Sequence, residues 1–315
     1  MSMNENNTAG EQGHAFSRRN FLRASGISAV TVAGMTFLTA CGPSTDATDS
    51  SSSSTDSSDS SSSSASTFGS DGKMRVGMEV AYPPYNWQTD TETENTIPVD
   101  GLDGAYADGY DIVFAKKIAE ALDLEPIACK MSFSGLISAL TSGQIDIICG
   151  GMTATDERRQ SIDFSDPYWE GHYGLLVRKD SEYADAHSLE DFSGAAVLGQ
   201  KDTLLDTVID EIPGVNHLTP VDSVPSQLSQ VNQGSCDAIT FDVENAAGLL
   251  AANPDLMEIT DENGDVVEFS ETAPINAGIA KGQDDILATI NEVINSVSQD
   301  ERQQYWDEVN ARQPE

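Results

Sequence analysis

Gly150-Gly151-Met152-Thr153-Ala154-Thr155-Asp156-Glu157-Arg158-Arg159-Gln160-Ser161-Ile162-Asp163-Phe164-Ser165-Asp166-Pro167-Tyr168-Trp169 is the stretch from which the rest of the chain is read. The apolar run 145–149 before it reads as a buried strand, and Gly150-Gly151 as the turn that ends it. Thr153, Thr155 and the run Asp156-Glu157-Arg158-Arg159 then read as the opening of a helix. A strand–turn–helix start collects backbone N–H groups, hydroxyls and a guanidinium in one place. Those groups suit a carboxylate, which takes free helix N-terminal donors and a planar fork for bidentate contact. The same residues also fit an ordinary helix start, with Thr155 as N-cap and acids in the first turn.

Working outward, strand and helix patterns alternate in two blocks. The first has strands at 74–80, 128–131 and 145–149, with helices at 111–122 and 135–142; Ser134 reads as an N-cap and Gly143 as a stop. The second has strands at 195–198 and 236–241, with helices at 203–212, 223–232 and 242–252. The blocks echo each other: SGLISALTSGQIDIICGG, from Ser134, parallels SQLSQVNQGSCDAITFD, from Ser226. Each reads as a helix, a glycine stop, an acidic residue opening a strand, then a turn. The expected fold class is α/β, with two lobes that each hold a mainly parallel sheet flanked by helices. Ligands of such sheets sit at the carboxyl ends of the strands. The last segment, 275–280 and the helices within 284–311, has no third core to join.

Composition narrows the function classes. The chain carries a net charge of −36. Phosphate backbones require lysine and arginine, so nucleic acid is excluded as a partner. An acidic surface also serves solubility, so the charge alone does not define a ligand. Cys129, Cys149 and Cys236 each fall in an apolar run, widely spaced, and read as buried thiols rather than a disulfide framework. His14, His172, His187 and His217 show no metal-ligand spacing, and no phosphate loop or dinucleotide fingerprint occurs. No cofactor and no metal is expected.

The N-terminus carries two motifs in series. Ser17-Arg18-Arg19-Asn20-Phe21-Leu22-Arg23 resembles a twin-arginine export signal, and Leu38-Thr39-Ala40-Cys41 resembles a lipobox. Residues 1–41 are therefore expected to be a signal peptide ending at a lipidated Cys41. Removing residues 1–40 takes away Arg18, Arg19 and Arg23 against Glu5 and Glu11, so the remainder is one charge more acidic. Residues 42–72, rich in serine and aspartate, have nothing to bury and read as a disordered tether of roughly 30 Å mean reach. The protein is expected at the outer face of the cytoplasmic membrane, held by lipid.

The motif T-x-T-x-E-R followed by I-D-F-S-D-P-Y closely resembles the signature of the family 3 extracellular solute-binding proteins, the polar amino acid receptors of ABC importers. The resemblance covers about 74–310. It implies a type II periplasmic-binding-protein fold, with lobe one at 73–177 and 278–315 and lobe two at 178–277. Two strands, about 175–179 and 275–281, then cross between the lobes as a hinge.

Carried residue by residue, the resemblance also implies a ligand set. Tyr82, in Glu79-Val80-Ala81-Tyr82-Pro83-Pro84-Tyr85, matches the aromatic that stacks on the ligand side chain, and Phe133 the opposing wall. Gly151 and Thr153, with Met152 between them, match positions that hold the α-ammonium and α-carboxylate. Arg158 matches the carboxylate clamp; a surface ion pair with Asp156 or Glu157 is its other reading. Gln200-Lys201-Asp202-Thr203 aligns with a Q-x-G-T turn, in which Thr203 meets the carboxylate from the second lobe. Asp202 replaces the usual glycine, which puts a positive φ in question. Asp242 matches the acid for the α-ammonium and also fits an N-cap. Glu79 lies where cation binders of the family often have an acid. Tyr85 and Trp87 line the same pocket or pack the loop.

The resulting expectation is a monomeric receptor that closes on a polar amino acid and delivers it to an ABC permease and its ATPase. Two alternatives remain. One is a same-fold enzyme such as a cyclohexadienyl or arogenate dehydratase, with Glu79 or Glu170 as general acid. The other is a sensory ligand-binding protein.

Overall fold

The computed structural model describes residues 68–314. The export signal, Cys41 and most of the tether fall outside the described residues. Among the described residues, two five-stranded sheets and one small four-stranded sheet organise the fold. In the first, the strands lie in the order Glu125–Lys130, Lys73–Met78, Ile147–Ile148, Ile275–Ala280, Ile162–Trp169. In the second, the order is Asn216–His217, Ala196–Leu198, Ala238–Asp242, Tyr173–Arg178, Leu256–Glu258. Both follow one plan. Three parallel strands are followed by one antiparallel strand, which pairs on its far side with a fifth. The two sequence echoes fall on equivalent pieces, the helices Leu136–Thr141 and Val224–Asn232 with the third strands that follow them.

Local sequence explains the elements. Met74, Val76 and Met78 alternate inward along the first strand. The helix Tyr110–Ala121 buries Ile112, Phe114, Ala115, Ile118 and Ala119 at helical spacing against the sheet. The three cysteines are buried free thiols, as their apolar surroundings predict. The small antiparallel sheet, formed by Ala81–Tyr82, Asn86–Thr89, Tyr106–Asp108 and Ile97–Pro98, was not expected from the sequence.

The chain end returns to the first half. Trp306, on the helix Gln299–Asn310, stacks on Trp169 with ring centroids 4.3 Å apart. Arg302, on the same helix, donates to the Pro167 carbonyl at 2.9 Å.

The antiparallel strand of each sheet is the one that arrives from the other half. The boundaries expected after 177 and before 278 fall inside these strands. All of Tyr173–Arg178 belongs to the second sheet, and all of Ile275–Ala280 to the first. The crossings lie just before each strand, where they bond to one another. Gly171 N–H donates to the Ala273 carbonyl at 3.2 Å and Ala273 N–H to the Gly171 carbonyl at 2.7 Å. The offset has a simple cause. Residues 173–177 are buried throughout and mostly apolar, and that pattern is the same on either side of a domain boundary.

Candidate functional site

The first half contributes the ends of its three parallel strands. After Lys73–Met78 come Glu79 and Val80. Val80 has a φ of 55°, a conformation rarely adopted by a β-branched residue. It is held there by a hydrogen bond from its N–H to Asn86 Oδ1 at 2.7 Å. The small sheet then supplies Tyr82. After Glu125–Lys130 comes Phe133, at the head of a single 3₁₀ turn. After Ile147–Ile148 comes Gly151, with a φ of 63°. A Cβ at Gly151 would lie 3.1 Å from the Tyr82 ring, so only glycine lets that ring lie against the turn. Thr153 follows, buried.

The helix expected at 156–159 is absent. Arg158–Gln160 form one 3₁₀ turn, closed by Ser161 N–H to the Arg158 carbonyl at 3.0 Å, and Arg158 N–H donates to Thr155 Oγ1 at 3.2 Å. The chain enters the strand Ile162–Trp169 before a helix can propagate, so no row of free helix amides forms. The expected N-cap role of Ser134 is also not seen. The helix Leu136–Thr141 is preceded by Gly135 with no side-chain cap bond.

The second half contributes the ends of Ala196–Leu198 and Ala238–Asp242. Gln200 and Thr203 follow the first, and Thr203 Oγ1 donates to the Gln200 carbonyl at 2.7 Å. Asp202 keeps a φ of 62° despite its side chain, so the turn retains the geometry a glycine would give. Asp242 is 4% exposed and makes no capping bond to the turn it precedes. Its N-cap reading therefore falls away.

These groups meet in a narrow cavity of about 20 Å³. Glu79, Tyr82, Phe133, Gly151, Thr153 and Arg158 line it from the first half, and Gln200, Thr203 and Asp242 from the second. Tyr173, Leu204 and Leu205 complete the lining and were missed in the sequence. Tyr173 lies beside Thr153 and sits opposite Asp242 in strand register, a placement that only the strand pairing reveals. Three expected residues, Tyr85, Met152 and Trp87, do not line the cavity. Tyr85 is fully buried behind Tyr82, ring centroids 5.1 Å apart, and packs on Trp306. Met152 is buried beside an adjoining interlobe groove. Trp87 also packs in the core, and Glu170 is exposed outside the cavity.

Among the described residues, three hydrogen bonds span the cleft. Gln200 Nε2 donates to Glu79 Oε2 at 2.9 Å, Arg158 Nη2 to the Asp202 carbonyl at 2.7 Å, and Asn245 Nδ2 to the Pro83 carbonyl at 2.6 Å. Arg158 Nη1 donates to the Thr153 carbonyl at 2.7 Å, and its guanidinium lies 5.1 Å from the Phe133 ring centre. Among the described residues neither Arg158 nor Asp242 has an ion-pair partner. The surface pairing of Arg158 with Asp156 or Glu157 therefore does not form. Burial lowers the Arg158 pKa and raises that of Glu79. Burial, with Glu244 nearby, pushes the Asp242 carboxyl up to about 8. The cavity thus presents a buried cation from one half and a buried acid from the other, with a second acid at Glu79.

The sequence profile of the bacterial extracellular solute-binding proteins, family 3, matches residues 74–308. A probable histidine-binding protein of Campylobacter jejuni is 30% identical over 227 residues, covering 72% of this chain and 80% of that protein. The L-cystine-binding protein TcyJ of Escherichia coli is 28% identical over 232 residues, covering 73% and 79%. Among solved structures, the arginine-bound form of truncated ArgBP from T. maritima is similar at a TM-score of 0.61 with 28% identity. That match covers 73% of this chain and 98% of that one.

Proposed function

The chain belongs to the bacterial extracellular solute-binding proteins of family 3, and from that premise we propose that it is a receptor that closes on a cationic amino acid. It is a binding protein rather than an enzyme, as its relatives are. The observation that carries the ligand reading is the split of buried charge, with Arg158 on one half and Asp242 on the other, each without an ion-pair partner. An α-amino acid zwitterion presents an anion and a cation at fixed separation. Arg158, Thr153 and Thr203 take the carboxylate; Asp242 and the Gly151 carbonyl take the ammonium. Tyr82 and Phe133 flank the side chain. Glu79 supplies the second acid, and a ligand with one net positive charge balances the lining. A histidine-binding relative and an arginine-bound neighbour fit this class.

Full complementarity needs both halves, so each contact favours the closed arrangement and ligand shifts the population toward it. Delivery to an ABC permease and its ATPase follows from the family. Lipid attachment at Cys41, a flexible tether over 42–72 and a lobe boundary at the paired crossings complete the proposal.

The test is a thermal-shift screen of the full chain against the twenty amino acids and cystine. Ligand at 100 times its dissociation constant adds about 2.7 kcal/mol. Stabilisation by arginine, lysine or histidine supports the reading. Stabilisation by neutral amino acids alone would reject the cationic class, and none at all the amino acid reading.

A further inference from the structure

Asp111 lies behind the cavity and has no part in the binding scheme. It is 0% exposed. Its Oδ1 accepts from the Tyr168 hydroxyl at 2.5 Å and its Oδ2 from Asn86 Nδ2 at 2.8 Å. The Gly151 N–H faces the same carboxylate. Asn86 is buried too, and its own oxygen accepts from the Val80 N–H. Backbone bonds fasten the Asp111 helix to the same loop, from Tyr110 N–H to the Pro84 carbonyl and from Asp111 N–H to the Tyr85 carbonyl, both at 2.9 Å. One side chain therefore lies between two of the turns that form the first half's wall. It reaches the strained Glu79–Tyr82 turn through Asn86 and the Gly151 turn directly.

We propose that Asp111 is a positioning residue for ligand binding, and that its negative charge holds these two turns in register. The inference rests on the cavity being the ligand site. Two side-chain donors bond the carboxylate and the Gly151 N–H faces it, and a carboxylate accepts more strongly than a neutral carboxyl. The donors cannot all adapt to protonation. The Tyr168 hydroxyl can turn round and accept. A main-chain N–H cannot, and Asn86 cannot flip without abandoning Val80. Protonation therefore weakens the contacts to both turns at once.

Among the described residues no cation pairs with the carboxylate. The titratable groups that face Asp111 are Tyr85, Tyr110, Tyr168 and Cys149. All are pushed upward by burial and stay neutral near pH 7. Burial also pushes Asp111 up to about 6. The charge is therefore present at neutral pH and lost in mild acid. A carboxylate beneath the Gly151 turn also adds negative potential on the side where the ligand ammonium is proposed to sit.

The test follows amides and affinity together in the full chain, with L-arginine as probe. The Val80 and Gly151 amide resonances should titrate with one shared midpoint near pH 6, and Asp111→Asn should abolish that titration. Tyr168→Phe, which removes one donor and keeps the charge, should move the shared midpoint upward. L-Arginine affinity should fall about tenfold between pH 7.5 and pH 5, the size of a lost charge-assisted contact. Asp111→Asn should bind weakly at both pH values. Glu79 and Asp242 titrate in either protein, so the difference between them isolates Asp111. Separate midpoints for the two amides would overturn the proposal, as would wild-type affinity and pH profile in Asp111→Asn. If wild type does not bind L-arginine, the ligand class fails while the amide titration still decides the role of Asp111.

Discussion

Replacing Asp242 by asparagine tests the charge split most directly. The carboxyl is pushed up to about 8 in the folded chain, against about 3.9 when unfolded. Between those values the folded state holds more protons than the unfolded one. Asp242 therefore lowers stability progressively as pH rises from about 4 to about 8, and has no such effect below that window. At pH 7 the penalty is at most about 4 kcal/mol. Asparagine keeps the size and removes the titration. Without ligand, Asp242→Asn should melt above wild type at pH 7, by up to roughly 8–16 °C at about 2–4 °C per kcal/mol. The gap should close by pH 4. Ligand reverses the balance in wild type, because an ammonium beside Asp242 favours its carboxylate. Binding of arginine at pH 7 should then release close to one proton, read by calorimetry in two buffers of different ionisation enthalpy. Equal melting of the two proteins across this range, together with binding that releases no proton, would refute the placement of Asp242 as a buried acid facing the ligand.

Three further substitutions probe other parts of the proposal. Arg158→Ala removes a buried charge partner worth roughly 2–5 kcal/mol, so ligand affinity should fall at least about thirtyfold by calorimetry; near-normal binding would place Arg158 outside the site. Glu79→Gln should weaken arginine, lysine or histidine much more than glutamine, and a uniform change across these ligands would reduce Glu79 to the partner of Gln200. Cys41→Ala should move the protein from the membrane to the soluble fraction, and equal retention of both forms would rule out a lipid anchor.

The sequence disclosed the two α/β blocks because their strands and helices differ in period, and because glycine stops punctuate both copies of the echoed segment. Arg158, Thr153, Thr203 and Asp242 were legible because a long motif and strand ends place them. What stayed hidden depends on contacts between distant segments. Tyr82 and Tyr85 are both aromatic and three residues apart, yet only Tyr82 reaches the cavity, because Tyr85 is drawn inward by Trp306. Tyr173 enters the lining through its pairing opposite Asp242. The run 156–159 has good helix formers, but the commitment of 162–169 to the sheet leaves room for only one turn. Asp111 reads as an ordinary first-turn acid, and its burial comes from Tyr168, more than fifty residues away.

The exchange of antiparallel strands also sets an order of assembly during synthesis. The second sheet is built from one uninterrupted stretch, Tyr173–Arg178 to Leu256–Glu258, and is complete once residue 258 has left the ribosome. The first sheet cannot close so early. Its strands Ile147–Ile148 and Ile162–Trp169 both pair with Ile275–Ala280, so a slot stays open between them until the chain is nearly finished. The half made first is thus sealed last, with unpaired strand edges exposed while the other half folds. Nascent chains stalled so that residue 265 has just emerged from the ribosome should show protease protection across 173–258 and cleavage within 145–169. Protection should reach the second region only once residue 280 has emerged as well.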